Sequence, residues 1–322
     1  MSLIGGVVAV ATMVVVAVQV TVPSESEIAA VGAEAGLPSL APGVLNRVDS
    51  LVRPADSAHL EAVFTDLGYR LEDVRDGASV PRVYVTALPR DLADLNSVGE
   101  RKALFLRTVL PLVLMSNQEL ENERAHLKDL AAEVARGESL RAADLAWIER
   151  SRERYDLPED AGFAALLERI DVIPPSLALA QSIEESGWGT SRFARNGNAL
   201  YGQRTWSPSI IGLVPDKRAS KEKHRVRSYM NLMGGVRAYM HNLNSHPAYE
   251  DFRRKRAAQR AAGDNLDGRA LGGTLLSYSE RGQDYVDQIH GLMRTNGLAA
   301  FDGARLGGAV GDQQIAADTP QK

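Results

Sequence analysis

A mainly helical protein with one small β element is what this sequence predicts, and three stretches carry the prediction. From Ile173 the chain reads IPPSLALAQSIEESGWGTSRFARNGNALYGQ, a double proline and an apolar run that stops at a glycine. Between Ser97 and Arg136 a seam of Leu106, Leu110, Val113, Asn117, Leu120, Arg124, Leu127, Ala131 and Val134 alternates steps of four and three residues. That is the spacing of one extended packed helix, interrupted or kinked at Pro111. From Trp206 through Ile211 and Val214 to Val226–Met230, apolar runs flank a polar loop, as in a hairpin or ribbon.

Composition narrows the chemistry before any motif is read. With 44% apolar and 24% charged residues, the 322-residue chain can build an ordinary globular core. A net charge of -4 does not suit a nucleic-acid binder, which is normally basic. The absence of cysteine excludes disulfides, thiolate metal sites and a cysteine nucleophile.

In chain order, residues 1–24 are apolar and uncharged from Leu3 to Val22, about the roughly 20 residues needed to cross a bilayer. No basic residue precedes Arg47, and Ala17-Val18-Gln19 is a poor cleavage site. An uncleaved membrane anchor, with the bulk exported, is therefore expected over a cleaved signal or a buried soluble helix. Residues 25–57, rich in Ala, Gly, Pro and Ser, read as a flexible tether. Residues 58–160 read as a first helical region: Leu60, Val63, Phe64, Leu67, Leu71 and Val74 share helical spacing, Val80–Val85 is extended, and a further helix covers Ala142–Tyr155. Asn117 and Arg124, one heptad apart in the long seam, read as an internally satisfied buried pair, with a contact to a partner as the alternative.

Residues 161–298 form the second unit. It opens on a helix through Phe163, Leu166, Leu167 and Ile170 and continues after the β element with helices from Gly235 to His246, Tyr249 to Ala262 and Gln283 to Thr295. The basic run Arg253–Arg256 reads as a solvated helix face, with attraction to an anionic polymer as the alternative. Residues 299–322, rich in Gly, Ala, Asp and Gln, read as a disordered tail.

Elimination leaves carboxylate chemistry. None of the six histidines forms an HExxH pair, and no GxSxG elbow, P-loop or dinucleotide fingerprint is present. No metal and no cofactor is expected. Glu184 and Glu185 close the apolar helix after Pro174-Pro175, about 100° apart around its axis. Glu184 shares a face with Leu177, Ala180 and Gln181; Glu185 shares one with Ala178, Gln181 and Ser182, small residues that leave room for a ligand. The negative end of the helix dipole nudges a carboxyl pKa upward there, as a general acid requires. Two solvated end-of-helix acids are the alternative. Trp188, Phe193, Tyr201 and Trp206, with Asn196 and Asn198 among them, read as the lining of a carbohydrate cleft or else as simple core.

The stretch Ala178–Ala194, followed by Gly197-Asn-Ala-Leu-Tyr-Gly-Gln203, resembles the glucosaminidase domain of bacterial peptidoglycan hydrolases, including flagellar muramidases and autolysins. Val236–Tyr249, Tyr278–Val286 and the upstream Val80-Pro-Arg82 and Leu110-Pro111 elements extend the likeness to Bax-type proteins of Gram-negative bacteria. The resemblance implies a lysozyme-like fold with a small β-lobe and cleavage of peptidoglycan glycan strands after N-acetylglucosamine. It implies Glu185 as the catalytic acid, no role for Glu184, and Tyr285 positioning substrate or water. Trp188, Asn198, Tyr201, Gln181 and Tyr278 are the expected substrate-binding residues. The family often has a second glutamate in the β-lobe; here Glu222 is the candidate, with Asp216 nearby, and flanking lysines favour a solvated loop residue. Without it, the substrate's own N-acetyl group would assist. A lytic transglycosylase and a non-catalytic wall-binding scaffold are the alternative functions.

Overall fold

A computed structural model describes residues 50–216 and 223–308. The expected anchor at 1–24, residues 25–49 of the expected tether, the loop holding Glu222 and residues 309–322 lie outside the described residues. The fold is mainly helical with a small antiparallel sheet, as expected. No described helix is long and apolar enough to cross a membrane.

Residues 50–57, expected to belong to the tether, hold regular structure. Strand β1 (Ser50–Val52) pairs in parallel with β2 (Val83–Val85), matching Ser50 with Val83 and Val52 with Val85. Ser50 and Val52 are buried, so the polar composition around them concealed a strand from a tether reading. Between these strands the apolar stripe splits into α1 (Ser57–Asp66) and α2 (Leu71–Arg75), separated at Gly68, whose φ of 60° is the left-handed conformation that glycine adopts freely.

Helix α3 (Val98–Ala135) runs unbroken through Pro111, and its 38 residues make it about 57 Å long. Its two polar seam residues are internally satisfied. Asn117 donates to the Ile173 carbonyl at 2.7 Å and accepts from the Ile173 amide at 3.0 Å. Arg124 donates to the carbonyls of Leu167 and Ile170 and stands 3.6 Å from Asp171. Both therefore grip the segment that leads into the double proline.

Helices α4 (Ala142–Arg154) and α5 (Phe163–Arg169) pack on the distal part of α3 through a small cluster that includes Leu127, Leu130, Ile148, Tyr155, Leu166 and Ile170. Helix α6 (Pro175–Ser186) lies at the centre of the main core, flanked by α3 and by α11 (Gln283–Thr295). Helices α7 (Arg192–Gly197), α8 (Leu232–Ser245), α9 (Glu250–Ala262) and the short α10 (Gly268–Gly272) complete the helical body. Sequence reading missed α7 and α10, which are too short for a periodic signal. The β-lobe has three strands, β3 (Arg204–Thr205), β4 (Gly212–Leu213) and β5 (Arg225–Arg227), with β5 central and both neighbours antiparallel. The main core runs from Val52 to Phe301, so residues on both sides of the 160/161 boundary share it.

The basic run on α9 is a solvated face over only half of its length. Arg253 and Arg256 are fully buried, while Arg254 and Lys255 face solvent. Arg256 donates to the carbonyls of Asp171, Val172 and Glu168 and to Asn244, and Arg253 closes the carbonyls of Leu243 and His246. Asp171 supplies the countercharge, 2.8 Å from Arg260 and 3.8 Å from Arg256. Buried cations persist where carbonyls and a carboxylate satisfy them.

Residues 299–308 are likewise ordered. Phe301 is fully buried beneath the Arg75 guanidinium, Leu306 bridges to Val80, and Arg82 donates to the Gly307 carbonyl. Asp302 accepts from the amide and hydroxyl of Ser176 at 2.7 and 2.8 Å, satisfying a buried amide of the first turn of α6 that has no partner within the helix. A single aromatic in a small-residue stretch gave no periodic sign of this.

Candidate active site

The sequence SGWG after Glu185 is a device for stopping a helix sharply. Gly187 ends α6 in the left-handed conformation at φ 58°, and Trp188 follows at φ 60°. Ser186 donates its hydroxyl to the Ser182 carbonyl and accepts from the Gly189 amide. At Gly189 an added Cβ would lie 2.8 Å from Leu88 and 2.9 Å from Phe105, so no larger residue fits without displacement. Trp188, partly buried, packs edge-on against Phe105 with the Lys102 ammonium over its ring, and so braces α6 on α3. The abrupt stop leaves the two glutamates on the last turn of α6, at the margin of the core.

Their fates differ. Glu184 accepts from Arg281 at 2.6 Å, and the same guanidinium stands 5.3 Å above the Tyr285 ring. Glu185 lies beneath the chain at Gly202, where an added Cβ would approach its Oε2 to 3.2 Å. Burial pushes the Glu185 carboxyl up to about 7, and the neighbouring Glu184 charge pushes the same way. A hydrogen bond from Tyr285 and the charges of Arg281 and Arg204 act against that rise.

Behind Glu185 stands a relay of buried hydroxyl and amide groups. Tyr239 donates to Gln181 Oε1 at 2.7 Å, and Gln181 Nε2 donates to the Tyr285 hydroxyl at 2.8 Å. The Tyr285 proton is thereby left to point at Glu185. Burial and the adjacent carboxylate raise the Tyr285 pKa, so the phenol holds its proton. Tyr201 stacks on Tyr239 with ring centroids 3.8 Å apart, and Tyr278 stacks on Tyr285 at 5.4 Å while donating to the Tyr201 carbonyl at 3.4 Å.

The expected site residues thus sort into groups. Glu185, Tyr285, Tyr201, Tyr278 and Gln181 come together in one connected cluster. Gln181 is fully enclosed, so it orients Tyr285 and Tyr239 and does not itself meet a ligand. Asn198 adopts φ 51° and donates to the Tyr229 carbonyl at 2.9 Å, holding the turn before Tyr201; that amide donor is engaged by the fold. Asp216 is exposed and pairs with Arg192 at 2.9 Å. Glu222 lies outside the described residues. Sequence reading missed Arg281, Arg204 and Tyr239. Arg281 falls inside the Tyr278–Val286 stretch already noted, but Tyr239 carries the spacing of an ordinary core residue on α8. Among the described residues, no cluster of three or more His, Cys, Asp or Glu side chains is placed to hold a metal ion.

A single proton-holding carboxyl, kept partly out of water and backed by a phenol, suits acid catalysis at an oxygen leaving group. Comparison with known proteins points the same way. Residues 161–298 match the family model named Glucosaminidase, described as mannosyl-glycoprotein endo-beta-N-acetylglucosaminidase. The chain is 32% identical over 222 residues to Protein bax of Escherichia coli (strain K12), covering 66% of this chain and 75% of that protein. No solved structure matches the chain significantly. With the matched segment carrying Glu185 and the whole tyrosine cluster, the chain belongs to the glucosaminidase family.

Proposed function

We propose that the protein is an exported peptidoglycan hydrolase that cleaves the glycosidic bond following N-acetylglucosamine, with Glu185 as general acid. The observation that carries this reading is the Glu185 carboxyl, half-buried, hydrogen-bonded by Tyr285 and with its pKa pushed up to about 7. In the protonated form it delivers a proton to the glycosidic oxygen as the bond lengthens toward an oxocarbenium-like state. The Tyr285 hydroxyl then faces the carboxylate that is left behind and limits the rise in its basicity. Water, aided by Glu222 or by the substrate's own acetamido group, completes the hydrolysis.

A second reading is favoured by one feature: the other glutamate on the same turn, Glu184, is committed to Arg281. A single free carboxylate also serves a lytic transglycosylase, in which an intramolecular hydroxyl replaces water. Digestion of purified sacculi followed by mass spectrometry separates the two. Reducing N-acetylglucosamine ends are expected; anhydro-muramic ends would show the transglycosylase, and no soluble product would leave a wall-binding scaffold. Glu185→Gln keeps the shape and removes the proton, and should lower digestion by roughly 10²–10⁴-fold. Digestion by that variant at the wild-type rate would refute the assignment.

This substrate requires export. We place the protein in the periplasm, with residues 1–24 as an inner-membrane anchor. Cell fractionation should then recover it with membranes and release it with detergent; recovery in the soluble fraction without detergent would count against the anchor.

A further inference from the structure

Of the three tryptophans in the chain, two are packed into the helical body: Trp147 against His126, and Trp188 against Phe105. Trp206 is different. It is 67% exposed, on the β-lobe, immediately after β3. A single exposed indole is ordinary protein surface in itself, so what matters is where the strand places it.

Its position follows from the strand register. Arg204 pairs with Val226 and Thr205 with Arg225, so Trp206 comes opposite His224, and their rings lie 6.2 Å apart. Side chains two residues apart on an extended strand share a face, about 6.6 Å from each other. Trp206 therefore shares a face with Arg204, whose charge bears on Glu185 and whose guanidinium reaches Glu280 at 3.7 Å, next in sequence to the Arg281 that pairs with Glu184. The backbone beyond it is braced: Ser207 donates its amide to Thr205 Oγ1, and Arg225 donates to the Ser207 carbonyl at 2.7 Å. A fixed aromatic face bordered by hydroxyl and guanidinium groups, continuous along one strand with the carboxyl site, has the chemistry that recognises a pyranose ring.

We infer that Trp206 is a sugar-stacking platform, a subsite that holds a pyranose of the glycan strand away from the scissile bond and so selects polymer over short fragments. The inference rests on the glycan reading of the Glu185 site. It predicts that the protein binds β-1,4-linked N-acetylglucosamine hexamer more tightly than dimer, and that the difference resides in Trp206.

The test uses full-length Glu185→Gln protein, to prevent turnover, with and without Trp206→Ala. Adding the hexamer should shift the tryptophan emission to the blue and protect it from acrylamide; Trp206→Ala should abolish both changes and weaken hexamer binding by calorimetry roughly tenfold. Dimer binding should change by less than twofold, and equal melting temperatures of the two proteins would exclude a folding defect. Should the melting temperature fall, Trp206→Phe, which keeps a ring, should restore hexamer binding if the platform is real. Equal hexamer affinity with and without Trp206 overturns the inference, whatever the digestion assays show. Conversely, if Glu185→Gln protein still digests sacculi while Trp206→Ala loses the hexamer, the catalytic assignment falls and the platform stands.

Discussion

Burial drives the Glu185 carboxyl toward the proton-bound form, while Tyr285, Arg281 and Arg204 restrain the drift to about 7. In the unfolded chain the same group titrates near 4.5. Below that pH the carboxyl is protonated in both states and has no effect on stability. Between 4.5 and 7 the folded protein holds a proton that the unfolded chain has released, so stability falls as pH rises through this window. Above 7 the buried anion costs on the order of 3 kcal/mol. Glu185→Gln should consequently melt at a higher temperature than wild type at pH 8, and the advantage should vanish at pH 4. The charged and titratable groups around the carboxyl are Glu184 on its own helix, Arg281 before α11, Arg204 on β3, Tyr285 and the tyrosines 239, 249 and 278. Of these, Arg281 holds the pKa down and Glu184 holds it up. Arg281→Gln should move the alkaline limit of activity to higher pH, and Glu184→Gln should move it lower. A shift in the same direction for both variants, read from a pH–rate profile, would refute this account.

At the level of elements, what the sequence revealed depended on how far each signal extended. Helix α6 announced itself through Pro175 at its start, ten buried residues and Gly187 at its end, all local features. Glu185 was likewise singled out as a candidate by residues within a few positions of it. Its setting was not, because Gly202, Arg204, Arg281 and Tyr239 reach it from other elements through tertiary contacts with no periodic trace. The seam of α3 shows the same divide. Its spacing disclosed a helix and singled out Asn117 and Arg124, but their acceptors lie 43 to 56 residues away. Within the run Arg253–Arg256 the reading failed at Arg253 and Arg256, because charge density implies solvent only when nothing buried needs a cation. Here the carbonyls from Glu168 to Val172 turn toward the interior and require donors. Removing one partner of such a network leaves an uncompensated buried charge, worth roughly 3–5 kcal/mol. The network therefore fixes the approach to α6, and with it the placement of the glutamates.

Taken as a whole molecule, the family-matched segment leans on what precedes it. Helix α6 packs against α3, Trp188 against Phe105, and the Leu232 amide bonds to the Thr86 carbonyl at 3.0 Å. Residues 299–308 add the Asp302 cap and the buried Phe301. A fragment of residues 161–298 alone would expose the apolar faces that these neighbours cover. It should fail to give a cooperative thermal transition, whereas residues 50–308 should unfold in one step with the melting temperature of the full chain. A fragment of 161–298 that melts cooperatively near the full-chain temperature would show that the upstream helices are an accessory.

The pairing of Leu306 with Val80, and of Ser50 with Val83, brings the entry and the exit of the described chain to within a few residues of Arg82. Glu185 is at the far end of α6 from Asp302, about 13.5 Å along the helix axis from Ser176. The protein is in this respect like a tool held by its handle. A pull applied between Ser50 and Gly308 should therefore load the strand contacts around Arg82 before it reaches the helices that carry Glu185 and Tyr285.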